Sequence, residues 1–447
     1  MTESNEALVP TDASRLNWFS PKMYALLPAL LVGVYQGKDE EALAREHVSE
    51  LHLLAETHGL PVIDHILFSI RTFTAATFLS QGKVEELKQA IIKLGASLVI
   101  FDDEISPAQQ RNLEQELGVP VIDRTEIILG VFADRAKTKE AKLQIELAAG
   151  KYIAPRLKRM WTHFSRQTGG GGVSGSGGYL KGVGEKQIEI DRRLLKNRSE
   201  QLLQEIREVK LHRQRQRSMR ERAHIPVFAI VGYTNAGKST LMNRLTDAHV
   251  FVEDKLFATL DTTTRKLQLP DNHEVLLTDT VGFIRKLPHL LVMAFRSTLE
   301  EATFADVLIH VIDASHPMAL EQAKTTLEVL SELGAHAIPV ITVLNKIDQV
   351  IIKEKSQVLQ KLKLTYPRAI ECSATNGIGI DALCSEMLYQ IQNKRVTRLL
   401  RIPQSEYHMV SEAIRHGNIR SQQYEDNDVL LEVDLPIWLQ YKFEKYS

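Results

Sequence analysis

The stretch GYTNAGKST, residues 232–240, decides the fold of this chain. It has the pattern GxxxxGK[ST], directly after the apolar run VFAIV and before the helix-like TLMNRLTDA. Glycines at 232 and 237 let backbone N–H groups curl around phosphate oxygens. Lys238 offers a positive charge to the β- and γ-phosphates, and Ser239 offers a hydroxyl ligand to Mg²⁺. We therefore predict a phosphate-binding loop formed by Gly232, Tyr233, Thr234, Asn235, Ala236, Gly237, Lys238, Ser239 and Thr240.

Three further motifs follow this loop, each at the end of an apolar run: LLTDTVGF, NKID and CSAT. Asp279 can hold magnesium through water, and Gly282 can offer its N–H group to the γ-phosphate. The carboxylate of Asp348 can accept both N1–H and N2–H of guanine, a donor pair that adenine lacks. Together the motifs predict a GTP-binding domain with additional contacts from Thr280, Val281, Asn345, Lys346, Ile347, Ser373, Ala374 and Thr375.

The segment LFATLDTTTRKL, residues 256–267, lies between the first two motifs, where a switch that senses the γ-phosphate is expected. We favour Thr259 as a second magnesium hydroxyl, although spacing alone does not select it from the neighbouring threonines. The others could simply begin the strand TTTRKLQL. Nucleotide contacts are predicted for Phe257, Ala258, Thr259, Leu260 and Asp261.

Hydrolysis without a stimulus is predicted to be slow. Phe283 and Ile284 stand where a signalling GTPase carries the glutamine that orients the attacking water, and a phenyl ring cannot accept its hydrogen bond. A partner, a bound ion or a switch rearrangement must then assist Lys238 and Gly282. Asn235 could help to coordinate K⁺ at the phosphates, or it could only stabilise the loop.

Outside these motifs, the length and composition of the chain limit the number and kind of its domains. A chain of 447 residues with 44% hydrophobic and 25% charged residues predicts two to four folded, soluble domains. Cys372 and Cys384 are too few for a disulfide framework or a zinc cluster. The sequence shows no signal peptide and no apolar run long enough to cross a bilayer, so we expect a cytoplasmic protein, with peripheral membrane association left open. We also expect a monomer.

The charge is unevenly distributed, although the net charge is only −1. Residues 151–224 contain 18 Lys and Arg against 7 Asp and Glu. This favours a polyanionic partner, or alternatively a long solvated helix whose charges confer solubility. Helical periodicity on both sides of the glycine-rich stretch 168–185 predicts one helix over 137–165, bent or weakened at Gly150 and Pro155, and a second over 185–222. The two would form an antiparallel hairpin with the glycines at its tip.

The predicted fold class is multidomain α/β. Residues 1–136 form an N-terminal α/β subdomain with no phosphate loop or catalytic cluster, which favours a structural role. Residues 137–224 form the basic helical hairpin, residues 225–394 the P-loop GTPase G domain, and residues 395–447 a small, strand-rich C-terminal domain.

Several stretches resemble the HflX family of ribosome-associated GTPases, in the Obg–HflX superfamily: GYTNAGKSTL, LFATLDTTTR, DTVGFIRKLPHLL and NKID, preceded by KLQIELA and GVGEKQIEIDRR. The resemblance covers roughly residues 30–395. It implies the same four-part fold, a magnesium role for Thr259, and a hydrophobic residue at Phe283. It also implies binding to the large ribosomal subunit, stimulation by it, and splitting of stalled or idle ribosomes. The glycine-rich stretch departs from the family pattern: the usual arginine is absent, Val183 replaces proline, and Tyr179 and Lys181 are added. Thr262 also stands where the family usually has proline.

The leading hypothesis is a GTPase that docks its basic hairpin on ribosomal RNA and drives subunit dissociation. One alternative is a switch protein that recruits effectors or acts in ribosome assembly. Another is an RNA-binding chaperone whose affinity GTP regulates. The candidate RNA contacts are Tyr179, Lys181, Arg213, Arg215, Arg217 and Arg220, of which the arginines could instead face solvent or the G domain.

Overall fold

The computed structural model describes residues 24, 26–157, 179–223, 225–246, 256–270, 273–288, 291, 301–350, 353–392, 395–436 and 439–447. These residues form three separate β-sheets with flanking helices and one long helical segment. The multidomain α/β class expected from the sequence is confirmed. Within the described residues, no helix combines the length and the apolar character that crossing a membrane requires.

The first sheet is parallel, with the strand order β2-β1-β3-β4. Its two central strands are apolar along nearly their whole length because helices cover both faces of the sheet. A capping box at Ser106 begins α3, and Gly118, with φ 77°, ends it. The elements are β1 (Ala29–Tyr35), α1 (Glu41–Thr57), β2 (Val62–Ser69), α2 (Gln81–Leu94), β3 (Leu98–Phe101), α3 (Pro107–Leu117), β4 (Val121–Asp123) and α4 (Arg124–Arg135).

Two helices follow and pack against each other, α5 (Lys139–Ile153) and α6 (Tyr179–Ala223). We call this pair the arm. Leu143 and Leu147 of α5 bury against Leu202 of α6. The helices run in opposite directions, because Lys139 pairs with Glu205 while Glu146, further along α5, pairs with the earlier Arg198.

The helix boundaries of the arm differ from the prediction. The helix predicted over 137–165 ends at Ile153 and continues as a short 3₁₀ turn over Ala154–Arg156, because Pro155 has no N–H group to continue it. The helix predicted from residue 185 begins at Tyr179, since Gly182 and Gly184 weaken a helix by only about 1 kcal/mol each and do not break it. Residues 158–178, which include Trp161, Phe164 and most of the glycine-rich stretch, lie outside the described residues.

The second sheet has the strand order β10-β9-β8-β5-β7-β6, parallel except for β6. The carboxyl ends of its parallel strands therefore meet at one edge, and the four sequence motifs all follow strands at that edge. The elements are β5 (Val227–Gly232), α7 (Lys238–Thr246), β6 (Thr263–Leu269), β7 (His273–Asp279), β8 (Val307–Asp313), α8 (Ala319–Glu332), β9 (Val340–Asn345), α9 (Lys353–Thr365), β10 (Ile370–Glu371) and α10 (Ile380–Gln392).

The last residues form a small unit with its own core. An antiparallel sheet of order β11-β13-β12 packs against two helices through Leu400, Val410, Val433 and Phe443, which are all buried. The strand-rich character predicted for this unit is confirmed. Its elements are β11 (Arg395–Pro403), α11 (Tyr407–His416), β12 (Asn418–Glu425), β13 (Asp428–Pro436) and α12 (Gln440–Phe443).

Candidate functional site

The phosphate loop between β5 and α7 has the backbone that its glycines predict. Gly237 has φ +90°, a conformation that side chains rarely adopt, and a side chain there would collide with the Asn345 amide. A side chain at Gly232 would collide with the carbonyl oxygen of Val311 on the neighbouring strand. Both positions thus require glycine for close packing against the sheet.

Lys238 is the first residue of α7, directly after the loop, and is almost completely buried. Its ammonium donates a hydrogen bond to the carbonyl oxygen of Tyr233 at 2.7 Å, which turns the side chain back over the loop. Burial lowers the pKa of Lys238 to about 8, although the nearby carboxylate of Asp279 opposes the shift. A phosphate in the loop would supply the negative charge that this ammonium needs.

Three oxygen-bearing side chains converge beside Lys238. The hydroxyl of Ser239 donates to Asp279 Oδ2 at 2.6 Å and lies 2.7 Å from Thr259 Oγ1. The other oxygen of Asp279 is buried and has no hydrogen-bond partner among the described residues, and burial raises the pKa of this carboxyl group. Two hydroxyls and a carboxylate form the oxygen donor set that Mg²⁺ prefers, so the residues present fit this ion.

The NKID and CSAT motifs close the other side of the loop. Asn345 joins them, since its side chain donates to the Ala236 carbonyl at 2.9 Å and accepts from the Ala374 N–H at 3.0 Å. Lys346, with φ 60°, forms an ion pair with Asp313 at 2.7 Å. Asp348 lies in the short turn Ile347–Gln349 and is half-buried. Ser373 is buried and Thr375 is exposed, so the loop presents one face to solvent.

The residues of the first switch divide between the pocket and the core. Phe257, Ala258 and Thr259 line the phosphate pocket together with Gly282 and the phosphate loop. Leu260 is buried in the core. Asp261 instead accepts hydrogen bonds from the backbone N–H groups of Lys137 and Thr138, at 3.0 and 3.1 Å, and from the Thr138 hydroxyl. The structure therefore places Asp261 on the start of the arm.

The second switch is held to the phosphate loop by its backbone. Thr234 N donates to Phe283 O at 2.7 Å, and Phe283 N donates to Gly232 O at 3.1 Å. The side chains of Phe283 and Ile284 are both buried in the core, so neither presents a polar atom to the nucleotide pocket. Thr280 donates to the Ile230 carbonyl at 2.7 Å, and Val281 is buried.

The first sheet contacts this site through charged residues that the sequence did not single out. Tyr233 of the phosphate loop donates to Glu50 on α1, which also pairs with Arg124. Asp102, at the end of β3, accepts from Arg124 at 2.8 Å and from Arg285 of the second switch at 2.7 Å. We call Glu50, Asp102, Arg124, Tyr233 and Arg285 the charged network.

Burial and neighbouring charges both shift pKa values within the charged network. Burial alone would raise the pKa of Asp102, but Arg124, Arg285 and Lys286 together hold it below its usual value. Burial also raises the pKa of the Tyr233 hydroxyl, which the Glu50 carboxylate reinforces. The network therefore ties a charged carboxylate of the first sheet to both nucleotide-facing loops.

An apolar contact accompanies the charged network. The Phe132 ring of α4 packs edge-on against Phe257 of the first switch, with centroids 4.6 Å apart. One continuous core includes residues of both sheets, among them Leu31 of β1 and Ala229 of β5. The sequence-based view of residues 1–136 as structural missed these contacts, because residues more than 100 positions apart leave no spacing signal.

The candidate RNA-binding residues all lie on α6. Tyr179 and Lys181 occupy its first turn, whereas the prediction placed them in the tip loop. Arg213, Arg215, Arg217 and Arg220 lie near its other end. The side chains of these six residues lie outside the described part of the structure.

Comparison with protein families gives three matches in chain order. Residues 45–133 match the family described as "GTP-binding GTPase N-terminal". Residues 135–220 match "GTP-binding GTPase Middle Region", and residues 227–346 match "50S ribosome-binding GTPase". The matches cover β2, β3 and β4 of the first sheet, nearly all of the arm and the phosphate-loop region.

Individual relatives match over most of the chain. "GTPase HflX" of Chlamydia pneumoniae is 47% identical over 420 residues, which is 94% of this chain and 88% of the relative. "GTPase HflX" of Escherichia coli (strain K12) is 40% identical over 410 residues, or 92% and 93%. A solved GTP-binding protein from the archaeon Sulfolobus solfataricus in complex with GDP is 26% identical, with 80% of this chain and 98% of that chain covered and a TM-score of 0.40. On the matches to curated relatives, the chain belongs to the HflX family and is a GTPase with a P-loop G domain.

Proposed function

We propose that this GTPase binds the large ribosomal subunit through its arm and dissociates stalled or idle ribosomes into subunits, with hydrolysis of GTP to GDP and phosphate. The description of the family that matches residues 227–346, "50S ribosome-binding GTPase", supports a ribosomal role. One structural observation carries the proposal. Asp261, two residues after Thr259, accepts hydrogen bonds from the N–H group and the hydroxyl of Thr138, the N-cap residue of α5 at the start of the arm. A change at the switch can therefore reach the arm through a direct contact.

The nucleotide is assigned to the edge of the second sheet. Backbone N–H groups of residues 232–240 would surround the phosphates, with Lys238 as the positive charge. Asp348 would select guanine, while Ser373, Ala374 and Thr375 would face its carbonyl. Ser239 and Thr259 would hold Mg²⁺ directly and Asp279 through water. Mg²⁺ at this position would neutralise charge on the β- and γ-phosphates.

We assign slow hydrolysis to the free protein and faster hydrolysis to the ribosome-bound form. The side chain that follows Gly282 is a buried phenyl ring, so the second switch offers no side-chain amide to the attacking water. Asn235 is exposed at the rim of the phosphate pocket, where a K⁺ ion could add positive charge. Loop stabilisation is the alternative role for this residue.

The arm supplies the proposed contacts with RNA. Its helix α6 has 45 residues and is rich in arginine towards its end, including Arg213, Arg215, Arg217 and Arg220. Arginines of this kind bind phosphates without reading sequence. Tyr179 and Lys181, next to the glycine-rich tip, would stack on a base and contact a phosphate. We further propose that the protein acts in the cytoplasm as a monomer.

Co-sedimentation with purified large ribosomal subunits tests this function. The protein should pellet with the subunits at low salt in the presence of a non-hydrolysable GTP analogue, and less so with GDP. Intact ribosomes incubated with the protein and GTP should then separate into subunits on a sucrose gradient. If the protein stays in the supernatant in both nucleotide states, the ribosomal proposal fails. Pelleting without subunit separation would favour a GTP-regulated RNA-binding protein that acts in ribosome assembly.

A further inference from the structure

Thr234, the third residue of the phosphate loop, has a buried hydroxyl that nothing yet described uses. The side chain is 6% exposed, and its Oγ1 atom has no hydrogen-bond partner among the described residues. A buried hydroxyl without a partner is unfavourable, because it has lost its hydrogen bonds to water and gained none. Such a group indicates a partner that arrives with the ligand.

Other hydroxyls at this site are already engaged. Tyr233 donates to Glu50, and Thr280 donates to the Ile230 carbonyl. Ser239 and Thr259 bond to each other, and Ser239 also donates to Asp279. Thr234 thus differs from these four, because its hydroxyl has no hydrogen-bond partner among the described residues.

The position of Thr234 fits the γ-phosphate end of the pocket. A Cβ atom built on Gly282 would lie 2.9 Å from Cα and Cγ2 of Thr234 and 2.8 Å from Lys238 Nζ. The two residues that would contact the γ-phosphate, Lys238 and Gly282, therefore adjoin Thr234. Thr234 and Asn235 also line both the phosphate pocket and the neighbouring cavity beneath α1.

We propose that the hydroxyl of Thr234 accepts a hydrogen bond from the attacking water and so performs part of the task for which Phe283 has no suitable group. In the reaction the water oxygen bonds to the γ-phosphorus, the bond from this phosphorus to the bridging oxygen of GDP breaks, and the water protons pass to phosphate oxygens and solvent. A hydroxyl can accept from the water and donate to a γ-phosphate oxygen at the same time. The fixed loop backbone, held by Thr234 N on Phe283 O, would orient it.

The test compares Thr234→Val, which keeps the shape and removes the hydroxyl, with Thr234→Ser, which keeps the hydroxyl and removes the methyl group. Single-turnover GTP hydrolysis is measured without ribosomes, so that the result is independent of the ribosomal proposal. We expect Thr234→Val to lower the rate roughly 10- to 100-fold, the loss of one hydrogen bond to a charged reacting group. Thr234→Ser should rescue most of the rate. The matched control is Thr365→Val, at the exposed end of α9, which should behave as wild type.

Two further readouts separate catalysis from folding. The affinity for GDP should be the same in Thr234→Val and wild type, whereas the complex with GDP and aluminium fluoride, which imitates the transferred phosphoryl group, should be weakened. The Tm of nucleotide-free Thr234→Val should equal or exceed that of wild type, because no hydrogen bond is lost. A Thr234→Val rate within about twofold of wild type would overturn the proposal. So would a Thr234→Ser rate as low as that of Thr234→Val, or a lower Tm for Thr234→Val.

Discussion

Asn235 has a left-handed backbone with φ 60° and an exposed side chain at the phosphate pocket. If it helps to hold K⁺, replacement of K⁺ by Na⁺ in the buffer should slow GTP hydrolysis by roughly tenfold, because the smaller ion sits differently among its oxygen ligands and stabilises the developing charge less well. Asn235→Ala should be slow in both salts. Equal wild-type rates in K⁺ and Na⁺ would leave Asn235 with only a role in the loop conformation.

His310, in the middle of β8, provides a test of stability against pH. It is 1% exposed, neither ring nitrogen has a hydrogen-bond partner in the described part of the chain, and burial lowers its pKa to about 4. The unfolded chain therefore binds a proton between pH 6.5 and 4 while the folded chain does not, so this contribution to stability is lost as the pH falls through that window.

The expected loss from His310 is on the order of 3 kcal/mol below pH 4, from about 1.4 kcal/mol per pKa unit. His310→Leu should flatten the decline of Tm between pH 6.5 and 4. His52→Leu, at a more exposed histidine of α1, is the matched control and should keep the wild-type profile. An unchanged profile in His310→Leu would show that other groups cause the decline.

The phosphate loop could be predicted residue by residue because its chemistry is local: two glycines, a lysine and a serine at fixed spacing determine both backbone and ligand. The burial of the Thr234 hydroxyl without a hydrogen-bond partner among the described residues could not be predicted. Whether a hydroxyl has a hydrogen-bond partner depends on neighbours that are distant in the sequence, such as Gly282, which sequence spacing does not reveal.

Among the elements, β3 and the second switch are joined by Asp102, which bonds to Arg124, Arg285 and Lys286. Asp102→Asn removes the negative charge and leaves two nearly buried guanidinium groups under-compensated. Loss of one partner of a buried pair typically costs about 3–5 kcal/mol. We therefore expect a lower Tm and faster hydrogen exchange in residues 281–288.

Asp103→Asn is the control for Asp102→Asn. Asp103 pairs with Lys286 and is more exposed than Asp102, so its loss should cost about 1 kcal/mol or less. Equal effects of the two substitutions would show that the buried position of Asp102 does not matter. Asp102 and Arg285 are 183 residues apart, so their pairing could not be predicted from sequence spacing. The strands that position them were predictable from their apolar runs.

At the scale of the whole molecule, deletion of the glycine-rich tip should affect ribosome splitting but not GTP binding. Deletion of residues 171–182, which includes the first residues of α6, should leave GTP binding intact, because the nucleotide edge lies on the second sheet. The same deletion should impair ribosome splitting if the tip contacts RNA. Nucleotide affinity and sucrose-gradient profiles measure the two effects. Normal splitting by the deletion variant would reduce the stretch to a linker.

The order of the parts was predictable from the sequence, but their contacts were not. Charge segregation and helical periodicity indicated an arm, and the motif order indicated a GTP site. The sequence predicts a nucleotide contact for Asp261, because residues 256–261 have the pattern of one continuous switch. In the structure Asp261 instead accepts hydrogen bonds from Lys137 and Thr138 at the start of α5. The chain turns away from the pocket after Thr259, as the burial of Leu260 shows.

If the first switch moves with the nucleotide state, the contact between Asp261 and Thr138 would act as a pivot for the arm. From Glu205, which pairs with Lys139 near that pivot, α6 extends 26 residues to Tyr179, or about 39 Å. A tilt of about 5° at the pivot would carry the far end about 3.4 Å, the rise of one base in a nucleic acid strand. If the far end of α6 contacts RNA as proposed, a tilt of this size would shift that contact by the spacing of one base.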